Sequence, residues 1–222
     1  MTEMKKTMLL CAGSVNPALA DGIATELGVP LGNVKHEKFA NGEIYARYVD
    51  SVRGADVFVI QSVCAGNGYD VNDALMELLI LTDAAKRASA RSVCAVISHY
   101  GYARQERKAA PREPITARLV ADLISSSGVD RVIALDLHQD AIQGFFDMPV
   151  NHMTAMPLFV DYYRKKGFEN PDDCFDHFIN RVPMHRLCER KDVTNAAIFL
   201  LTEDSSYLTG QWIMLAGGDH ME

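Results

Sequence analysis

Val57-Phe-Val-Ile-Gln-Ser62, then the run from Val71 to Ala90, then Val93-Cys-Ala-Val-Ile-Ser98: this order decides the fold. The two short segments are β-branched and continuously apolar, with no polar residue on every second position. Such strands are buried on both faces. Between them, Leu75, Leu78, Leu79 and Thr82 recur at helical spacing and share one face, with Asp73, Glu77 and Lys86 elsewhere on the helix. A strand, a long helix and a second buried strand make a parallel crossover.

The same alternation extends both ways. Upstream, Thr7–Ala12 is an apolar run closed by Gly13, and Pro17–Leu27 is a helix that Gly28 is placed to end. Downstream, Ile115–Ser127 reads as a helix with Leu119, Val120, Leu123 and Ile124 inward, ended by Gly128. Val132–Leu137 is the next strand and Met156–Lys166 the next helix. The expected fold is α/β, a parallel sheet sandwiched by helices.

At 222 residues the chain has room for one large domain and a short appendage. The composition shifts at Gly167-Phe-Glu-Asn-Pro-Asp-Asp173, a polar segment with a proline, which places the boundary between 1–167 and 168–222. The second part is expected to hold helices at Cys174–Asn180 and Asp192–Thr202 and a strand at Gln211–Leu215. It is too small to build much of a core alone, so it is expected to pack on the first part or on a neighbouring chain. The net charge of −7 argues against a broad nucleic-acid surface, which needs excess Lys and Arg. The five cysteines are odd in number and scattered, as expected of thiols in a reducing cytoplasm. No apolar run is long enough to span a membrane.

Ligands of open parallel sheets bind beyond the C-terminal strand ends. Two such ends carry unusual residues. Val93–Ser98 runs into His99-Tyr-Gly-Tyr-Ala-Arg104-Gln105-Glu106-Arg107-Lys108, where the chain's cations concentrate. Arg can grip phosphate oxygens as a fork, although such a segment is equally a solvated loop. Val132–Leu137 ends in Asp136-Leu-His138, an acid and an imidazole on one side of an extended strand. That pair could hold a metal or a phosphate-bound Mg²⁺, and His138 could as well be a capping or core histidine.

Several of these residues carry a family resemblance. Phe39-Ala-Asn-Gly-Glu43, Ser51-Val-Arg-Gly54, Tyr100-Gly-Tyr-Ala-Arg-Gln105, Arg112-Glu-Pro-Ile-Thr-Ala117 and the run from Asp136 to Pro149 resemble ribose-phosphate pyrophosphokinase in order and spacing, over about Met8 to Gly167. The resemblance implies a phosphoribosyltransferase-like domain. It also implies transfer of the diphosphoryl group of Mg-ATP to the 1-hydroxyl of ribose 5-phosphate. On matching positions, Arg104 and Gln105 would contact ATP and His138 would help hold Mg²⁺. Phe39, Asn41 and Glu43 would cup the adenine of ATP bound by a neighbouring subunit, so the protein is expected to be a homo-oligomer. Glu106 stands where the family usually has Asp, Ala141 replaces a usual Gln, and Asn151 replaces an Asp near the family's regulatory site.

The family's sugar-phosphate domain has no clear counterpart, since Glu203–Gly210 lacks its doubled Thr/Gly loop. Full catalysis is therefore expected to be impaired unless another chain supplies that half. A non-catalytic partner of a full-length synthetase is the alternative. The tail, about Phe175–Asp219, resembles instead the C-terminal end of short-chain dehydrogenases/reductases, so the chain reads as a chimera. An NAD(P)-dependent oxidoreductase is a third reading. Only the tail supports it: Tyr162–Lys166 has the Tyr-x-x-x-Lys spacing but lies on an ordinary amphipathic helix of the synthetase-like part, and Gly66-x-Gly68 lacks a third glycine. Cys174-x-x-His177 and His185-x-x-Cys188 have spacing that suits zinc, though they are equally packed or surface residues.

Overall fold

The computed structural model describes residues 8–168, 176, 179–202 and 205–206. The strand expected at Gln211–Leu215, most of Cys174–Asn180, most of Glu203–Gly210, and Cys174 and His177 lie outside the described residues. The chain divides into two compact units, Met1–Ala155 and Met156–Glu222.

In the first unit the strands are β1 (Met8–Ala12), β2 (Val34–Lys38), β3 (Ile44–Tyr48), β4 (Asp56–Ser62), β5 (Ser92–His99), β6 (Arg131–Leu135) and β7 (Val150–Met153). The helices are α1 (Pro17–Leu27), α2 (Val71–Arg87) and α3 (Thr116–Ser126), and a 3-10 turn spans Asp140–Phe145. Five strands form one parallel sheet in the order β1-β4-β5-β6-β7. β2 and β3 form a separate antiparallel hairpin. The α/β parallel fold is thus as the alternation of segments predicts.

Alternate residues of each strand feed opposite faces. Cys11, Val57, Val59, Val93, Ala95, Ile97, Val132 and Ala134 join one core with α2 and α3, whereas Leu10 and Ile60 pack with Ala20 and Ala24 of α1. Gly28 ends α1 in the left-handed conformation, φ 65°, with its N–H bonded back to the last turn. α2 starts at an Asp70 capping box whose side chain accepts from Asn72 and Asp73.

Two elements differ from the sequence expectation. α3 does not turn Leu119 and Leu123 inward: they are 54% and 41% exposed. Val120 and Ile124 face the core as expected, joined by Ala117 and Ala121, whose small side chains let the helix approach closely. Strand β6 stops at Leu135 and not at Leu137, because Asp136 adopts φ 46° and leaves extended geometry. Glu77, a charged residue in the middle of α2, is fully buried. Its carboxylate accepts from Ser14 N–H (2.9 Å), Ser14 Oγ (2.6 Å), His36 Nδ1 (2.8 Å) and Gln61 Nε2 (2.7 Å). A buried charge persists when it is hydrogen-bonded this fully. The network ties β1, the β2–β3 hairpin and β4 to α2.

In the second unit α4 (Met156–Lys165) and α5 (Arg190–Leu201) are described. α5 begins where Arg186 grips Asp192 through two bonds of 2.6 and 2.8 Å and Glu189 N–H donates to the same carboxylate. The Arg186 bonds hold Asp192 far below the usual carboxylate range. Of the described residues, none belongs to a helix long and apolar enough to cross a membrane.

Candidate nucleotide site

The site is built from the exits of β5 and β6. Beyond β5, Tyr100 is buried against Phe146, ring centroids 5.8 Å apart, and its hydroxyl donates to the Ala117 carbonyl at 2.9 Å. Burial pushes its phenol far above its usual value, so it acts as a fixed donor. Gly101 follows in a close approach: a Cβ there would lie 2.7 Å from Val63 Cγ1 and 2.9 Å from the Val63 carbonyl oxygen. Because one neighbour is backbone, the contact cannot be relieved by a rotamer change. Gly101→Ala is expected to displace the loop and cost about 1–3 kcal/mol of stability, as overpacking does. Thermal unfolding of the purified variant checks this, and a wild-type melting temperature would contradict it.

Tyr102 continues in the left-handed region, φ 62°, with its hydroxyl bonded to Asn72 Oδ1 at the start of α2. Gln105 is held on three sides. Its N–H donates to Tyr102 O at 3.0 Å, its carbonyl accepts from Ala117 N–H at 3.2 Å, and its Oε1 accepts from the Thr116 hydroxyl. That leaves its amide nitrogen as the donor for a ligand. Arg104 is exposed and pairs with no acid among the described residues. Glu106 Oε2 is buried without a hydrogen-bond partner among them, a costly arrangement for a carboxylate.

Beyond β6, Asp136 N–H donates to Met153 O at 2.9 Å, and Asp136 Oδ1 accepts from Ala155 N–H at 3.1 Å. The two bonds and the left-handed turn aim the next residues away from the strand line. Asp136 and His138 nevertheless line the same cavity, of about 480 Å³, as His99, Tyr102, Arg104 and Gln105. Sequence reasoning placed Arg104, Gln105, Asp136 and His138 correctly at strand exits. It assigned no role to Val71 and Tyr102, which also line the cavity, since one is an ordinary helix residue and the other an ordinary loop aromatic.

Phe39, Asn41 and Glu43 stand apart on the turn of the β2–β3 hairpin. They are exposed and are not among the residues lining this cavity. Asn41 Oδ1 accepts from Glu43 N–H at 3.2 Å, and Phe39 N–H donates to Glu43 O at 2.9 Å, so the tip is a hydrogen-bonded turn. Phe39 lies 6.0 Å from Tyr45, ring to ring, and remains 43% exposed.

Among the described residues no cluster of three or more His, Cys, Asp or Glu forms a closed metal cage. One carboxylate and one imidazole at a cavity wall do fit a magnesium ion that takes its remaining ligands from phosphate and water. His185 and Cys188, the described half of the paired motif, are both exposed, in the segment that leads into α5. Lys166 Nζ sits 5.7 Å over the Tyr162 ring, an ordinary cation–π contact on a helix surface.

A family model for the N-terminal domain of ribose phosphate pyrophosphokinase matches residues 8–128. A second, described as enoyl-(acyl carrier protein) reductase, matches residues 118–220, which include the tail. The ribose-phosphate pyrophosphokinase of Fusobacterium nucleatum is 50% identical over 72% of this chain and 50% of its own length. That of Streptomyces coelicolor is 52% identical over 74% of this chain and 50% of its own length. The crystal structure of phosphoribosylpyrophosphate synthetase from Mycobacterium smegmatis superposes with a TM-score of 0.69 at 49% identity, covering 72% of this chain and 52% of that one. The chain spans about half the length of the curated relatives it matches.

Proposed function

We propose, from the premise that this chain belongs to the ribose-phosphate pyrophosphokinase family through that enzyme's N-terminal domain, that it binds Mg-ATP in the β5–β6 cavity and serves the nucleotide half of diphosphoryl transfer to ribose 5-phosphate. The observation that carries the reading is one cavity lined by Arg104, Gln105, Asp136 and His138. Each group has a role in the transfer. The ribose 1-hydroxyl oxygen attacks the β-phosphorus and gives up its proton to water, the bond from that phosphorus to the α–β bridging oxygen breaks, and AMP leaves. Such reactions need alignment and charge neutralisation more than covalent help.

Arg104 offers a planar fork to phosphate oxygens, and Gln105 offers its amide N–H₂. Asp136 and His138 would hold Mg²⁺ on the phosphates. Bound there, the ion supplies neutralisation of phosphate charge. The hydrogen-bonded hairpin tip, with Phe39 exposed, suits stacking on the adenine of ATP in a neighbouring copy's cavity, with Asn41 and Glu43 as hydrogen-bonding groups. The working protein is then a homo-oligomer, and its four described free cysteines suit a reducing, cytoplasmic setting.

Isothermal titration tests the reading. ATP is expected to bind with Mg²⁺ present and at least tenfold more weakly without it. Ribose 5-phosphate is expected to add little heat to the 222-residue chain. No binding of Mg-ATP at millimolar concentration would overturn the assignment.

A further inference from the structure

We infer that His152 is a positioning residue for the nucleotide site, acting through the main chain between Asp136 and His138. The inference rests on the reading of that cavity as a Mg-ATP site. It begins from a backbone N–H in need of a partner. Leu137 lies past the end of β6, between the two site residues, and is 7% exposed. Its N–H is beyond the β6–β7 ladder, whose last pair is Leu135 with Met153. The N–H finds its acceptor in the His152 ring, Nε2, at 3.1 Å.

That bond settles the ring's chemistry. Nε2 must be without a proton to accept, so the neutral ring carries its proton on Nδ1. Nδ1 lies 3.4 Å from Asp140 Oδ1, on the 3-10 turn that follows the site loop. Gln143 Nε2 is also 3.4 Å away, but it is a donor facing a donor in this tautomer. Asp140 is therefore the group that matches Nδ1–H, and it stands in the same relation to His152 as a carboxylate orienting a ligating imidazole.

The result is a three-point clamp on one short segment. Asp136 N–H is held by Met153 O, Asp136 Oδ1 by Ala155 N–H, and Leu137 N–H by the His152 ring. All three holders come from the strand β7 and the residues just after it. Asp136 sits at φ 46°, a conformation that a non-glycine residue keeps only when its surroundings enforce it. His152 lines an adjoining cavity, with Asp136, Leu137, Asp140 and Thr154; Asp136 lines both cavities, but His152 is not among the residues lining the one that holds His138. Its influence on the nucleotide is thus indirect.

Two variants separate the role from general packing. His152→Phe keeps the ring's bulk and removes the acceptor. His152→Gln places an oxygen near the position of Nε2. Titration with ATP, with and without Mg²⁺, is run on wild type, both variants and His138→Ala, with the ¹⁵N–¹H spectrum of Leu137 as a ligand-free readout. The Phe variant is expected to lose at least fivefold in Mg-ATP affinity, to keep its affinity for metal-free ATP within twofold, and to shift the Leu137 amide upfield. The Gln variant is expected to recover most of both. Unchanged Mg-ATP affinity in His152→Phe overturns the inference, as does equal loss with and without metal. If wild type and His138→Ala bind ATP identically with and without Mg²⁺, the reading of the cavity itself fails, whatever the Leu137 amide does.

Discussion

Glu77→Ala is expected to destabilise the protein by about 3–5 kcal/mol, the range for breaking a buried charged pair by removing one partner. At roughly 2–4 °C per kcal/mol for a chain of this size, its melting temperature should fall by on the order of 10 °C. The carboxylate is fully buried, and four donors from Ser14, His36 and Gln61 converge on it. Removal leaves those donors without an acceptor and opens a void between α2 and β4. Glu77→Gln fills the void but presents an amide N–H₂ to donors, so it too should lose stability at neutral pH.

The pH dependence follows from the same bonds. Burial pushes the Glu77 carboxyl up, but the bonds from His36 and Ser14 outweigh it, so it lies below its usual value of 4.5. A depressed folded value means stability that is present above pH 4.5 and lost as pH falls through the folded value. The gap between wild type and Glu77→Gln, measured by thermal unfolding, should therefore be widest near pH 7 and narrow below pH 4.5. A gap that is constant with pH, or an alanine variant within 0.5 kcal/mol of wild type, would show that the network contributes little.

Arg104→Ala is expected to lower Mg-ATP affinity by about 10- to 100-fold, with no change in melting temperature. Hydrogen bonds to charged groups contribute about 1.5–3 kcal/mol, and each 1.4 kcal/mol is a factor of ten. The side chain is exposed and makes no ion pair among the described residues, so the folded state does not depend on it. Arg104→Lys should recover only part of the loss, because an ammonium is a point charge and cannot form the two-toothed contact. Adenosine, which lacks phosphates, should bind wild type and variant alike. An equal loss for adenosine would move Arg104 from the phosphates to the base.

Much of the site was legible because its residues are chemically unusual for strand exits. Arg104, Gln105, Asp136 and His138 stand just past apolar runs, and a ligand at the C-terminal end of a parallel sheet meets such positions. The hairpin was not legible. Val34-Lys-His-Glu-Lys38 is mostly polar and short, and its pairing with Ile44–Tyr48 is decided by its register and by α2 behind it. Nor was β7, whose Val150-Asn-His-Met153 does not alternate apolar with polar in sequence although its burial alternates in the fold. The α3 face was misjudged because leucines outweigh alanines in any hydrophobic pattern, whereas packing against a sheet favours the residues that permit close approach.

What the sequence determined by itself is the layered α/β plan, since continuous apolar strands alternating with periodic helices can bury their surfaces in few other ways. It also placed the phosphate-suited cations at one strand exit. What only the tertiary structure decided is how polar groups far apart in the chain satisfy one another. Nothing local marks Glu77 for burial until Ser14, His36 and Gln61 are brought around it. His152 reads as an ordinary histidine until a parallel pairing sets it against Leu137 N–H. Hydrophobic burial is written in local periodicity. Hydrogen bonds depend on distance and direction, and across 15 to 63 positions of chain these exist only once the fold has formed.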